Sequence, residues 1–226
     1  MLRLLVAFGY VLLGFFLSVA FAAEFRFEKD ILKMEERDKQ SPPKEGCTMF
    51  AGSSSWALWG KQLEEDFREF DAINRGFGGS KIHEVIHVTD RIITPYKPSR
   101  ILFFCGTNDI ASGMKPEEVF ADFKTFLERV RKVRPQVKIY FMSLSHAPAR
   151  EKHWPDGDKL NSLVRELAKQ DDLLFYIDTV VPIEECVKNG GNPWFDDRLH
   201  LSREGQEVWI KAIRKTLSQE KKSSEK

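Results

Sequence analysis

The sequence predicts an α/β chain folded as a three-layer α/β/α domain. Its core is a flavodoxin-like, five-stranded parallel sheet in the order 2-1-3-4-5. Three observations lead there. Short apolar runs such as Thr48–Ala51 and Ile101–Cys105 lack the in-and-out alternation of a half-exposed strand. Segments with helical spacing of apolar residues separate those runs. The 226 residues suffice for one such domain with a real core and are too few for two.

The elements follow in order. Residues 23–46 form a charged lead-in, helical over Lys29–Lys39 and stopped by Pro42-Pro43. Thr48–Ala51 is the first buried strand. Leu58–Phe70 is helical, with Leu58, Leu63, Phe67 and Phe70 on one face. Ala72–Asn74 gives the second strand. Ser80 is placed to cap a helix running to Ile93. Ile101–Cys105 reads as the central strand. Pro116-Glu117-Glu118 opens a helix that Pro135 ends, with proline in the first turn and acids at the positive dipole end. Val137–Leu144 and Leu173–Asp178 are the last two strands, with a helix over Asp158–Gln170 between them. Arg203–Leu217 is a final amphipathic helix, and residues 219–226 are a frayed charged tail. The domain proper is expected over 47–218.

The N-terminus is different in kind. Arg3 precedes LLVAFGYVLLGFFLSVAF, and Ala20-Phe21-Ala22 is an A-x-A cleavage pattern. Residues 1–22 therefore read as a secretory signal cut near Ala22, giving an exported protein. An uncleaved membrane anchor is the alternative, because the run nearly spans a bilayer. Removing Arg3 from the 35 basic residues leaves 34 against 34 acidic ones. That balance gives no support to nucleic acid or an anionic membrane as a partner. Of the three cysteines, Cys105 reads as a small core residue, and no Cys/His spacing suggests a structural metal.

Four segments end expected strands with small polar residues: FAGSSSW (50–56), NRGFGGS (74–80), FCGTND (104–109) and DRLH (197–200). Ligands of open parallel sheets bind beyond the carboxyl ends of the strands. Ser54 stands where a nucleophile could be exposed beside helix-start N–H groups, although a serine-rich helix cap has the same look. The Gly79 N–H and the Asn108 amide could donate to an oxyanion, and each could equally be an ordinary turn residue. Asp197 and His200, three apart in a turn, suit a base histidine with its orienting carboxylate; a surface salt link is the plain alternative. The hydrolase elbow G-x-S-x-G fails at Trp56, and the dinucleotide fingerprint fails at Lys81.

Taken as an ordered set, these blocks resemble the SGNH/GDSL hydrolase superfamily from about Cys47 to Leu217, with Gly52-Ser53-Ser54 where most members have Gly-Asp-Ser. The resemblance implies a serine ester hydrolase, acting on a small-molecule or carbohydrate ester without a cofactor. It implies Ser54 as nucleophile, His200 as base and Asp197 as its partner. The Ser54 N–H, Gly79 and Asn108 would form the oxyanion hole. Ser53 is expected to support the loop, and SLSHAPAR (143–150) to wall the pocket. Trp56 and Trp194 are read as substrate-binding.

Two rival readings have their own signals. His83-Glu84-Val85-Ile86-His87 is a literal HExxH, the zinc-hydrolase pattern. Trp56, Trp59, Trp154 and Trp194 could serve a non-catalytic sugar-binding module, since aromatic faces suit sugar rings and fold alone does not imply catalysis.

Overall fold

A computed structural model describes residues 25–224, with side chains to residue 218. The expected signal segment lies outside the described residues. Five strands form one all-parallel sheet in the order β2-β1-β3-β4-β5. They are β1 Thr48–Gly52, β2 Ala72–Gly76, β3 Arg100–Phe104, β4 Lys138–Met142 and β5 Leu174–Ile177. Between and around them run α1 Glu28–Gln40, α2 Ser54–Trp59, α3 Lys61–Asp66, α4 Ile82–Ile92, α5 Thr107–Ala111, α6 Pro116–Val133, α7 Trp154–Ala168, α8 Val180–Lys188 and α9 Arg203–Ser224. Among the described residues, no helix is long and apolar enough to cross a membrane.

The register explains where a site can form. Gly52 pairs with Gly76 on one side and with Phe104 on the other, so β1, β2 and β3 end level. The chain leaving each of the three strands opens onto the same edge. Gly52 is required there. Its φ is +136°, and a Cβ would come within 2.0 Å of the Phe104 carbonyl oxygen.

The strands are buried almost throughout, as their unbroken apolar runs require. Beneath the carboxyl edge lies an aromatic cluster. Trp56 meets Phe50, Phe104 and Trp209 edge-on at centroid distances of 5.2, 6.2 and 5.3 Å. This corrects the substrate-binding reading of Trp56: its relative exposure is 0%, and it is core. Trp59 is buried too, donating from Nε1 to Asp66 Oδ2 at 2.8 Å.

Several boundaries differ from expectation. The helix after β1 begins at Ser54 and breaks at Gly60, whose φ is +63°. Leu58, expected on the buried face, is therefore exposed. Helix α4 is capped by Lys81, not Ser80; the Ser80 hydroxyl donates to the Gly52 carbonyl instead. The short helix α5 and helix α8 have no counterpart in the expected elements. Helix α9 runs to Ser224, through the segment read as a frayed tail.

The charged lead-in is bound tightly. Arg75, fully buried on β2, reaches Asp38 of α1 at 2.6 Å. Arg91 on α4 chelates both Glu28 and Glu35 of α1. Buried or forked pairs of this kind fix orientation more than they add net stability.

Candidate active site

The loop after β1 places Ser54 at the first residue of α2. The Ser53 amide bonds to the Phe104 carbonyl at 2.9 Å, which ties this loop to the end of β3. The Ser53 carbonyl accepts from both Trp56 and Ala57, at 3.2 and 3.3 Å. The amides of Ser54 and Ser55 are thus left among the free donors of a helix start.

The 197–200 loop comes from far along the chain and meets Ser54. His200 Nε2 lies 2.8 Å from Ser54 Oγ. His200 Nδ1 lies 2.6 Å from Asp197 Oδ2. The other carboxylate oxygen of Asp197 accepts the amides of Leu199 and His200, each at 2.9 Å. This Asx-type turn needs a left-handed residue, and Arg198 takes it with φ of +56°. Such backbone costs about 1–3 kcal/mol and persists only where neighbours hold it. Here the Arg198 amide donates to the Phe195 carbonyl, and its own carbonyl accepts from Ala149.

Electrostatics follow from those contacts. The His200 amide, with the His200 ring and the Leu199 amide, pulls the Asp197 carboxyl down to about 2 against partial desolvation. Asp197 is therefore ionised at any working pH, and its charge faces the Nδ1 side of the ring. That favours the tautomer with a proton on Nδ1 and a lone pair on Nε2 toward Ser54.

Asn108, one residue into α5, faces the same cavity. Its amide nitrogen donates to Ser53 Oγ at 2.9 Å and to the Ser80 carbonyl at 3.1 Å. Ser53 thus does for Asn108 what the expectation of a loop-supporting side chain requires. Gly79 is exposed, with φ of +76°, in the turn before α4. Its carbonyl accepts from Arg26 at 3.1 Å, and it is not among the residues lining the Ser54 cavity.

That cavity is small: the space open to the centre of a water-sized sphere is about 30 Å³. Trp194 is in its wall, buried to 7% exposure and bridged to Leu201. Ser145 and Ala147 contribute the wall expected of the 143–150 segment. Thr107, Leu199 and Trp209 also line it, and sequence reasoning does not single them out. Trp209 carries a signal only as an apolar position of the last helix; nothing in its spacing points toward a loop at residue 54.

The HExxH segment is arranged otherwise. Glu84 is 8% exposed and is gripped by Arg26 through two bonds of 2.5 and 2.7 Å. It also accepts the Lys81 amide at 2.8 Å, closing the first turn of α4. His87 packs its ring on Phe25 at 4.7 Å. His83 instead approaches Asp109 and Asp122, within 4.8 Å, a grouping that leaves out both Glu84 and His87.

The model of the GDSL-like lipase/acylhydrolase family matches residues 42–208. The chain belongs to that family. Its members hydrolyse esters, and this chain is an ester-hydrolysing enzyme of the GDSL type. A rice relative, the "GDSL esterase/lipase WDL1" of Oryza sativa subsp. japonica, is 23% identical over 203 residues, covering 77% of this chain and 76% of the relative. Solved structures share the fold. A GDSL-like lipase from Bacteroides thetaiotaomicron superposes with a TM-score of 0.69 at 18% identity, covering 87% of this chain and 99% of that one. An acetyl-xylooligosaccharide esterase from Geobacillus gives 0.59 at 14% identity, with 76% and 94% covered.

Proposed function

We propose that this GDSL enzyme is a serine esterase for short acyl groups, working through Ser54, His200 and Asp197. The observation that carries the proposal is the unbroken chain Ser54 Oγ to His200 Nε2 to Asp197, at 2.8 and 2.6 Å. Ser54 Oγ attacks the ester carbonyl as its proton passes to His200 Nε2. Asp197 stabilises the imidazolium without taking the proton. The tetrahedral oxyanion is received by the Ser54 N–H and the Asn108 amide, and by the Gly79 N–H only if the oxyanion sits at the rim, since Gly79 does not line the cavity. Asn108 serves by turning the N–H that rests on the Ser80 carbonyl toward the oxyanion, while Ser53 Oγ keeps the other. The carbon–oxygen bond to the leaving alcohol breaks as His200 returns its proton to that oxygen. Water, deprotonated by the same nitrogen, then attacks the acyl-enzyme and frees Ser54. No step needs a metal or an organic cofactor.

The small extent of the cavity beside Ser54 is in keeping with a short acyl group. The acetyl-xylooligosaccharide esterase among the structural relatives is in keeping with a carbohydrate O-acetyl substrate. An exported enzyme, its leader removed near Ala22, would meet such a substrate outside the cytoplasm.

Hydrolysis of p-nitrophenyl acetate by the wild type, by Ser54→Ala and by chelator-treated protein tests the reading. The expected result is near-complete loss in Ser54→Ala and little change on chelation. Full activity in Ser54→Ala would overturn it.

A further inference from the structure

A second small cavity, open to solvent, adjoins the Ser54 cavity. Thr107 and Ser145 line both. The rest of its wall includes Leu144, His146, Arg150, His153 and Trp154. No carboxylate lines it.

Arg150 is unusual there. Buried Arg75 and half-buried Arg91 and Arg131 find acids, in Asp38, in Glu28 and Glu35, and in Asp171, while half-buried Arg134 donates to the Thr94 carbonyl. Arg150 is half-buried, and among the described residues its side chain makes no hydrogen bond or ion pair. Its Nε is buried without any partner. A guanidinium is always charged and carries five donors in a planar fork. A buried donor left unpaired is costly, and an anion accepting from the fork would relieve it.

The neighbouring acids are either bound to His146 or absent from the cavity wall. His146 holds Glu184 on Nδ1 at 2.7 Å and Asp158 on Nε2 at 2.9 Å, and its ring stacks on Trp154 at 4.6 Å. Glu151 and Asp156 are exposed and do not line the cavity. His153 lines it and spends no ring nitrogen on another described residue.

The segment is also preset. Arg150 sits at a kink, with φ of −119°, between two short 3-10 turns spanning Pro148–His153. Its amide and the Trp154 indole both donate to the Ala147 carbonyl, at 2.9 and 3.0 Å. The Ala149 amide donates to the Arg198 carbonyl at 3.0 Å, inside the loop that carries His200. The guanidinium is thus positioned from the loop that positions the base.

We propose that Arg150, assisted by His153, is an anion subsite for the alcohol part of the substrate. The preferred ester then carries a carboxylate or phosphate near its acyl oxygen. This rests on the serine-esterase reading: if the small Ser54 cavity takes the acyl group, the adjoining one is left for the alcohol.

The experiment compares 4-acetoxybenzoate with its neutral counterpart 4-acetoxybenzamide, and adds 4-acetoxyphenyl phosphate. With wild type, the ratio of kcat/KM for benzoate over benzamide should be about tenfold or more, carried by KM, as expected for a hydrogen bond to a charged group. The ratio should fall toward one in Arg150→Gln and recover in part in Arg150→Lys, which restores charge but not the fork. A higher ratio for the phosphate than for the benzoate would identify a tetrahedral anion as the natural group. Calorimetric binding of 4-hydroxybenzoate against 4-hydroxybenzamide to the unaltered protein gives a readout that needs neither turnover nor a variant. Selective binding of the anion without turnover of any ester would keep the subsite and defeat the esterase reading. Turnover of both esters at equal kcat/KM, or a preference untouched in Arg150→Gln, would overturn the subsite and leave the esterase reading standing.

Discussion

Two short motifs in this chain pair histidine with an acid, and the fold treats them in opposite ways. In Asp197–His200 the carboxylate sits half-exposed, with one oxygen on backbone amides and the other on the imidazole, and the imidazole faces a hydroxyl. In His83–His87 the carboxylate of Glu84 is buried and neutralised by Arg26, and the second histidine is packed against Phe25. What separates them is not residue type or spacing. It is whether the acid and the ring have an open partner. A histidine can act as a base only if one nitrogen is oriented by a carboxylate and the other meets the group that gives up a proton. A glutamate already bonded twice to a guanidinium has no such freedom.

The largest expected effect breaks the comparison outright if it fails. His200→Ala should lower kcat for p-nitrophenyl acetate by roughly a thousandfold or more. His87→Ala should stay within about twofold. Steady-state kinetics on the two variants side by side checks this. Equal losses would mean that the HExxH helix takes part in the chemistry after all.

The acids sharpen the same contrast. Asp197→Asn should lower kcat by roughly a hundredfold or more while leaving the melting temperature nearly unchanged, because the side chain is half-exposed. Glu84→Gln should do the reverse. It keeps the shape but weakens the Arg26 fork and the helix cap, at a cost of about 1–3 kcal/mol, with kcat unaltered. Melting curves and kinetics on both variants separate the two roles.

Much of this architecture is legible in the amino-acid sequence. The alternation of apolar runs with helical segments foretells the parallel sheet, whereas the pairing of Ser54 with His200 is legible only through the resemblance of the ordered blocks to the SGNH/GDSL hydrolases. What is not legible depends on side-chain direction. Trp56 reads as a binding residue by its proximity to Ser54, but one turn of helix points it inward. Trp209 lines the cavity from a helix whose sequence shows only amphipathic spacing. Arg26 lies 58 residues from Glu84, so nothing local could say that the zinc-like motif is already occupied. Helix α8 escapes a sequence reading because its first turn, Val180-Val181-Pro182, looks like a strand followed by a breaker.

A smaller effect concerns Ser53, the departure from the usual aspartate. Its hydroxyl accepts one of the two Asn108 N–H groups. Ser53→Ala should lower kcat by roughly tenfold with KM little changed, because an unheld amide donates less well to the oxyanion. Ser53→Asp, which restores an acceptor, should recover part of that loss. Kinetics showing no change in Ser53→Ala would mean that the Ser80 carbonyl alone orients Asn108.

The smallest effect is one of pH, and it again sets two acids against each other. Both hold amides at the start of α4: Glu84 takes Lys81 and Asp109 takes Ile82, at 2.8 and 3.0 Å. Burial alone would raise the Glu84 carboxyl, but Arg26 and the Lys81 amide override it and hold it below the usual range. Burial dominates at Asp109 and raises it to about 6, with the Ile82 amide only partly opposing. The signs therefore differ. Stability from Glu84 is present above its unfolded value and is lost on acidification. Stability from Asp109 is present below its unfolded value, near 3.8, and is lost as pH rises through about 6. The Asp109 contribution is about 3 kcal/mol at full extent. Melting temperature measured from pH 4 to 7 should thus fall less steeply with rising pH in Asp109→Asn than in wild type. In Glu84→Gln a scan carried below pH 4 should show a shallower acid-side decline than in wild type, and slopes identical to wild type in both variants would show that neither carboxylate titrates with the fold.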